Sequence, residues 1–388
     1  MTARDQFLQT LKNKYPGIKN PDEHIAANLI CPSVVELPLG VLKQAQDFAK
    51  SLFSLRNNSL YVDSMNSHVD PNLQQMQIQP AGNYSICMSY DFHLDQNGVL
   101  QLIEVNTNAA FLALGDLLYE SWSLPKPVLG FSMDEFLKNI QQEYHLSLGG
   151  SGPQRVAIVD ENPHTQRLFI EFLVYREYLH SKNIEVEILD YREELANFDF
   201  IYNRGTDFYW QDTSWQNLRS LFNEKKTCVS PNPVEYFYLA DKARMVDWSN
   251  SERLTSWGVS DLEKEVLLRH VPLAKTLTPE NAEEIWAERK KFFLKPQQSF
   301  GSKQSYKGGS VSRRVFDEIK GQKFLAQSLV PAPELTLETT EGPQSFKYDL
   351  RFFAYRDRIQ SVIARVYQGQ VTNLQSPYGG FAPIRWKS

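Results

Sequence analysis

Through the first 66 residues apolar positions recur with helical spacing, most regularly in GVLKQAQDFAKSLFSL, where Leu42, Ala45, Phe48, Ala49 and Leu52 share one face. That face predicts a packing helix. The period then drops to two: SICMSYDFHLDQNGVLQLIEV alternates as two strands about a DQNG turn whose Asn97-Gly98 pair suits positive φ, so a hairpin is predicted. A helix follows at SMDEFLKNIQQEY, with Ser132 and Glu135 spaced as a capping box and Phe136, Leu137, Ile140 and Tyr144 as its apolar stripe.

LGGSGPQ, Leu148 to Gln154, stops regular structure and reads as a linker. Beyond it RVAIVD, RLFIEFLVYREYLHSKN, IEVEILD and FDFIYNR alternate strand, helix, strand, strand, the signature of a parallel α/β unit. Ligands of such units collect at the carboxyl ends of strands, here DENPHTQ and NRGTDFY. A helical stretch then runs from SPNPVEYFYLADKARMVDWS to WAERKK. KFFLKPQQSFGSKQSYKGGSV follows as strand, polar loop and strand, QKFLAQSLVP as an inner strand, and SFKYDLRFFAYRDRIQSVIARVYQGQVTN as two antiparallel strands around Arg356-Asp357-Arg358. No internal repeat or low-complexity tract interrupts this order. Three regions are expected: 1–150, helical and then the hairpin; 151–240, the parallel α/β unit; 241–388, the remaining strands.

At 388 residues the chain is long for a single core. A hydrophobic content of 42%, a charged content of 22% and a net charge of −5, with no basic tail or stripe, fit a globular protein that does not hold nucleic acid. The start lacks the apolar core of a signal peptide, and no run approaches the ~20 apolar residues that span a bilayer, so a cytoplasmic protein without a membrane partner is expected. Cys31, Cys87 and Cys228 are odd in number and unpaired in sequence, which argues for buried small hydrophobes rather than a disulfide framework or zinc site.

Candidate chemistry begins with IEVNTN. On a strand Glu104 and Asn106 project to one face as two hard oxygen donors of the kind that hold Mg²⁺ beside phosphates. Lys295, at the end of an apolar strand and before a loop of small polar residues, suits nucleotide phosphates. The backbone of FLAQSLVP can meet an adenine edge. Arg351 in DLR and Arg365 in AR place cations on neighbouring strands, where they neutralise charge on a transferred phosphoryl group; Asn373 and the Gly379-Gly380 turn follow. Each fragment has a bland alternative: an exposed strand edge for Glu104 and Asn106, a helix-surface charge for Lys242, solvated lysines at Lys303 and Lys307. His93 is read as packed or exposed, on the face opposite Glu104. Phe208, Tyr209 and Trp210 are read as loop packing. No Ser-His-Asp or Cys-His arrangement stands out.

The order of these fragments is what carries information, and it resembles the ATP-grasp ligases, within them the glutathione synthetases. FLKPQQSFGS, FLAQSLVP, KYDLRFF, IARVYQGQVTN and YGGFAP follow the family's sequence of motifs, while the strand bearing E-x-N, YDFHLDQNGVLQLIEVN, stands near the amino terminus, as in the circularly permuted eukaryotic-type glutathione synthetase. The likeness spans roughly residues 80 to 388. It implies a mixed α/β (α+β), circularly permuted ATP-grasp fold with an inserted parallel α/β substrate-binding domain. It further implies an ATP- and Mg²⁺-dependent ligase that joins a small-molecule or short-peptide carboxylate to an amine or thiol through an acyl phosphate, and a homodimer with contacts through residues 1 to 80. Position by position, Glu104 and Asn106 with Asp91 would hold Mg²⁺. Lys242, Lys295, Gln297, Gly301, Ser302, Tyr306, Gln327, Ser328, Leu329 and Asn373 would meet ATP. Arg365, Lys295 and Arg351 would be catalytic, and Gln166, Arg204, Gly379 and Gly380 would face the substrate.

Departures from the family pattern touch both halves of the site, and the nucleotide half is kept better than the peptide half. Ser299 stands where the family has a metal-binding glutamate, QSFGSKQSYKGG lacks three consecutive glycines, the arginine of the family's RSDY segment falls near Met88, and TNLQSPY replaces basic residues before the GG turn. Two rival expectations follow: a non-catalytic nucleotide-binding or regulatory protein on a degenerate scaffold, and a small-molecule kinase that stops at a phosphoester.

Overall fold

A computed structural model describes residues 1–67, 69, 74, 77–127, 131–298 and 304–387. The alternating segments MSYDFHL and LQLIEVN form the expected hairpin, Met88–Leu94 with Leu100–Asn106. Its turn is held by Asp95, whose carboxylate accepts from the amides of Asn97 and Val99 at 2.8 and 2.9 Å; Gly98, not Asn97, takes the positive φ of 73°.

The hairpin is not free-standing. Met88–Leu94 pairs antiparallel with Gly342–Tyr355, so a six-stranded sheet runs in the order Gly380–Ala382, Arg358–Tyr367, Gly342–Tyr355, Met88–Leu94, Leu100–Asn106, with Glu334–Thr339 also on Gly342–Tyr355. Residues some 250 positions apart in the chain thus become neighbours in one sheet, as the Arg351–Asp91 register pair illustrates at a separation of 260. The helix Gly40–Arg56 lies on this sheet, and its Phe48 meets Tyr90 and Phe92 edge-on at ring separations of 5.3 Å.

The parallel unit forms as the alternation predicts: Glu185–Asp190, Arg155–Asp160, Phe200–Asn203 and Cys228–Ser230 in spatial order, with the helix Phe169–His180 packed against it. A third sheet, Tyr306–Lys307, Phe292–Pro296, Phe324–Ser328 and Ala274–Leu277, is antiparallel and has its own small core around Leu294, Phe316 and Phe324. Val35–Pro38 pairs in parallel with Ile384–Lys387, joining the first strand of the chain to the last.

Several expectations are corrected in detail. Ser132 does cap the helix Met133–Leu148, but its side chain makes no capping bond, and Glu135 ion-pairs with Lys138 at 2.6 Å instead. Cys228–Ser230, Ala274–Leu277 and Glu334–Thr339 are strands that the pattern did not announce, because three to six residues such as CVS or AKTL are too short to display a period. All three cysteines are free and buried. Among the described residues no helix is long and apolar enough to cross a membrane.

Candidate active site

Pairing within the hairpin slips once. Asp91 faces Glu104 but Phe92 faces Leu102, so Ile103 is the extra residue of a β-bulge. Successive carbonyls of a regular strand point to opposite edges; here those of Leu102 and Ile103 both meet the third sheet. Gln327 Nε2 donates to Leu102 O at 2.8 Å, while Lys295 Nζ donates to Ile103 O at 2.9 Å and to Gln327 Oε1 at 2.7 Å. Further along the same edge strand, Gln44 accepts from the Leu100 amide at 3.1 Å and His270 Nδ1 lies 2.7 Å from Leu100 O. An edge that would otherwise invite another strand is therefore satisfied by side chains.

Between this edge and the third sheet lies a pocket into which Glu104, Lys242, Lys295 and Arg365 all project. Lys242 Nζ stands 3.9 Å from Glu104 Oε2, whose side chain keeps 26% of its surface exposed. Lys295 is buried, and burial pulls its ammonium down to about 8, with Glu104 acting against that fall. Three cations facing one carboxylate suit a polyanionic ligand.

Beneath the pocket Asp91 is wholly buried. Arg351 grips it as a fork at 2.9 and 2.7 Å, Arg365 Nη2 donates at 2.8 Å, Asn106 Nδ2 at 3.1 Å and Ser89 Oγ at 3.1 Å. Arg365 also binds Asp349 at 2.7 and 3.0 Å, and Asp349 accepts from Thr372 at 2.5 Å. Burial alone would raise the Asp91 carboxyl; the two guanidinium groups overcome it and hold it well below the usual carboxylate range. Two buried cations and two buried anions thus balance one another.

This network sorts the candidate metal ligands. Asp91 has both oxygens bound by guanidinium groups and points away from a cation-holding role in this arrangement. Among the described residues Glu104 pairs with Lys242, and Asn106, which gives its Nδ2 to Asp91 and Ser89, retains its carbonyl oxygen. Among the described residues no three His, Cys, Asp or Glu side chains cluster as a metal cage. A pair of protein oxygens fits Mg²⁺, which keeps several waters and takes phosphate oxygens for the rest of its shell.

The other sequence candidates divide in the same way. Gln297 contributes main chain, its carbonyl accepting from the Lys242 amide at 3.2 Å; Tyr306 packs into the core of the third sheet, and Ser305 lines the pocket in its place. Gly301 and Ser302, like Ser299, lie outside the described residues. Ser328 and Leu329 line the pocket, yet their amides already donate to Leu273 O and Lys291 O, both at 2.7 Å. The next amide, that of Val330, forms no hydrogen bond among the described residues, and Val330 O lies 2.9 Å from His93 Nδ1. His93 is therefore a correction: opposite residues Asp91 and Glu104 share a face, His93 two positions along shares it too, and it lines the pocket.

Arg351 does not line the pocket; its fork is bound to Asp91. Asn373 is turned into its own loop, donating to Gln368 O at 2.7 Å and accepting from the Gln375 amide at 3.1 Å, while Gln370, Val371 and Thr372 border the pocket. Gly379 and Gly380 are close-approach positions: a Cβ on Gly380, whose φ is 111°, would lie 2.6 Å from Leu29 O, and one on Gly379 would lie 2.6 Å from Val366 O.

In the parallel unit Gln166 donates to Glu161 O at 2.7 Å. Arg204 is buried and its Nη1 donates to the carbonyls of Asn108 and Ala109, just past the Asn106 end of the hairpin; its Nε is buried without a partner among the described residues. The Arg204 amide donates to Val159 O at 2.7 Å, which sets Arg204 beside Asp160 at the carboxyl edge of the sheet. Burial pushes the Asp160 carboxyl up to about 6 against the pull of Arg204. Sequence reasoning pointed to DENPHTQ without singling out Asp160; its signal was its place at a parallel strand's carboxyl end.

Mixed sheets joined in this order form a glutathione synthetase-like fold. The solved structure of a glutathione synthetase-like effector, GSS30, from Globodera pallida in its apo form superposes with a TM-score of 0.60 at 10% identity, over 99% of this chain and 96% of that one. A Methylobacillus flagellatus protein, provisionally a gamma-glutamylcysteine synthetase, matches at 0.46 and 10% identity over 89% and 87% of the two chains, too loosely to carry an argument. No protein-family model and no curated protein matches the sequence.

Proposed function

We propose that this chain is an ATP- and Mg²⁺-dependent ligase that joins a carboxylate to an amine, on a circularly permuted ATP-grasp scaffold with residues 151–240 as the inserted substrate domain. The observation that carries this reading is the convergence of Glu104 with Lys242, Lys295 and Arg365 in one pocket, from segments far apart in the chain. The reaction is activation of the carboxylate as its acyl phosphate, followed by attack of the amine with release of ADP and phosphate. Glu104 and Asn106 would hold the cation, Lys242 and Lys295 would offset phosphate charge, and Arg365 would face the charge that develops on transfer. The protein supplies position and charge, not a nucleophile. Arg204, with an unpartnered buried Nε, and Asp160 beside it give the substrate domain one group for a carboxylate and one for an amine. A small amino acid or short peptide fits both. We place the reaction in the cytoplasm.

A second reading, nucleotide binding without turnover, draws support from Asp91, whose oxygens are wholly engaged by arginines. One experiment separates the two: incubate the protein with Mg²⁺, ATP and a metabolite extract, and read new amide products by mass spectrometry with Glu104→Ala as the control. An amide formed by wild type alone supports the ligase; a phosphoester marks a kinase; ATP bound with no product marks the non-catalytic reading.

A further inference from the structure

Gln327 was assigned to the adenine edge, but its side chain has another use. It is almost wholly buried, and its amide is engaged at both ends: Oε1 accepts from Lys295 Nζ at 2.7 Å and Nε2 donates to Leu102 O at 2.8 Å. Lys295 completes the triangle at Ile103 O. The orientation of the amide follows from these partners, because the lysine only donates and the carbonyl only accepts.

We propose that Gln327 is a positioning residue of the candidate site: it holds the Lys295 ammonium at the pocket wall and clamps the third sheet to the bulged strand that carries Glu104. Resting on the nucleotide reading above, the proposal goes beyond it in giving the Gln327 side chain a role apart from the backbone of its strand. The physical case is one of alternatives. A lysine has a flexible four-carbon stem and many rotamers; with two acceptors fixed on separate sheets, Lys295 is confined. A charged donor buried without its acceptor is costly, so losing Gln327 Oε1 would release the ammonium to find another partner. The bulge matters as well, since it presents Leu102 and Ile103 carbonyls side by side and lets one glutamine and one lysine bind them as a unit.

The test is a double-mutant cycle on full-length protein, with Mg²⁺-ADP as the titrated probe and thermal melting as the check on folding. Gln327→Met keeps the length and loses both hydrogen bonds; it is expected to weaken Mg²⁺-ADP binding about tenfold, the usual consequence of losing a hydrogen bond to a charged group. Lys295→Met alone is expected to weaken it further. The double variant should bind no worse than Lys295→Met within about twofold, because Gln327 acts through the lysine. Gln327→Glu, which keeps an acceptor for Lys295 but sets a carboxylate oxygen against Leu102 O in place of the amide donor, should bind Mg²⁺-ADP more tightly than Gln327→Met and more weakly than wild type. Unchanged affinity in Gln327→Met, or losses that multiply in the double variant, would overturn the assignment. Absence of Mg²⁺-ADP binding by the wild type would instead remove the nucleotide reading, and the proposal with it.

Discussion

Lys295 donates a 2.9 Å hydrogen bond to the main-chain carbonyl of Ile103, 192 residues earlier in the chain. One ammonium group thereby ties the strand that bears Glu104 and Asn106 to the sheet that closes over it. Any chemistry at this pocket requires both segments in place at once.

Glu104→Ala tests the cation role most directly. The side chain is partly exposed and its ion pair with Lys242 is long, at 3.9 Å, so little stability depends on it. We expect the melting temperature to change by no more than about 2 °C, while amine-dependent ADP release falls at least about a hundredfold. Full activity in this variant would reject the assignment of Glu104.

Arg351 is expected to behave differently. Replacing it with leucine leaves Asp91 buried with one guanidinium fewer, which typically costs about 3–5 kcal/mol. Urea unfolding should show that loss, and the folded fraction should keep its affinity for Mg²⁺-ADP. A stable but inactive variant would return Arg351 to the catalytic group.

Stability should also depend on pH through Glu143. Its carboxyl, buried beneath Tyr355 OH at 2.8 Å and the Tyr84 amide at 2.5 Å, is pushed up to about 8, chiefly by burial. A folded-state pKa above the unfolded value means that its contribution is fully present below about pH 4.5 and is lost as pH rises to about 8. That loss is on the order of a few kcal/mol. Glu143→Gln, neutral at every pH, should flatten this part of the profile and be more stable than wild type at pH 8.5; identical profiles in chemical denaturation would contradict the burial argument.

Gly380→Ala separates packing from substrate contact. With φ at 111° and a Cβ forced to within 2.6 Å of Leu29 O and 2.7 Å of Asn28 O, the variant should lose more than about 2 kcal/mol. Unchanged melting combined with a raised substrate KM would favour the contact role.

Much of the architecture is legible in the sequence. The hairpin and the helices at 40–56 and 133–148 announced themselves because each is long enough to repeat its period several times, and the parallel unit because short apolar runs alternate with a helix. The order of motifs placed Glu104, Lys242, Lys295 and Arg365 in a common site, and these four do line one pocket. The same reasoning did not reach the partners of other positions. Arg351 and Asp91, expected as a catalytic cation and a metal ligand, bind each other. Asn373, expected at the nucleotide, bonds within its own loop, and Gly379 and Gly380, expected at the substrate, sit where the backbone approaches closely. His93 lines the pocket after being read as its opposite face.

By itself the sequence determined the local elements and the inventory of chemical groups, because periodicity and residue type act over a few neighbours and need no partner from elsewhere. Only the tertiary structure decided which charges are neutralised and which stay open to a ligand. A one-residue bulge at Ile103 turned two carbonyls toward Gln327 and Lys295, and two guanidinium groups closed over Asp91 while Glu104 was left facing the pocket. Such outcomes depend on distances between segments far apart in the chain, and burial and Coulomb energies follow those distances rather than the order of residues.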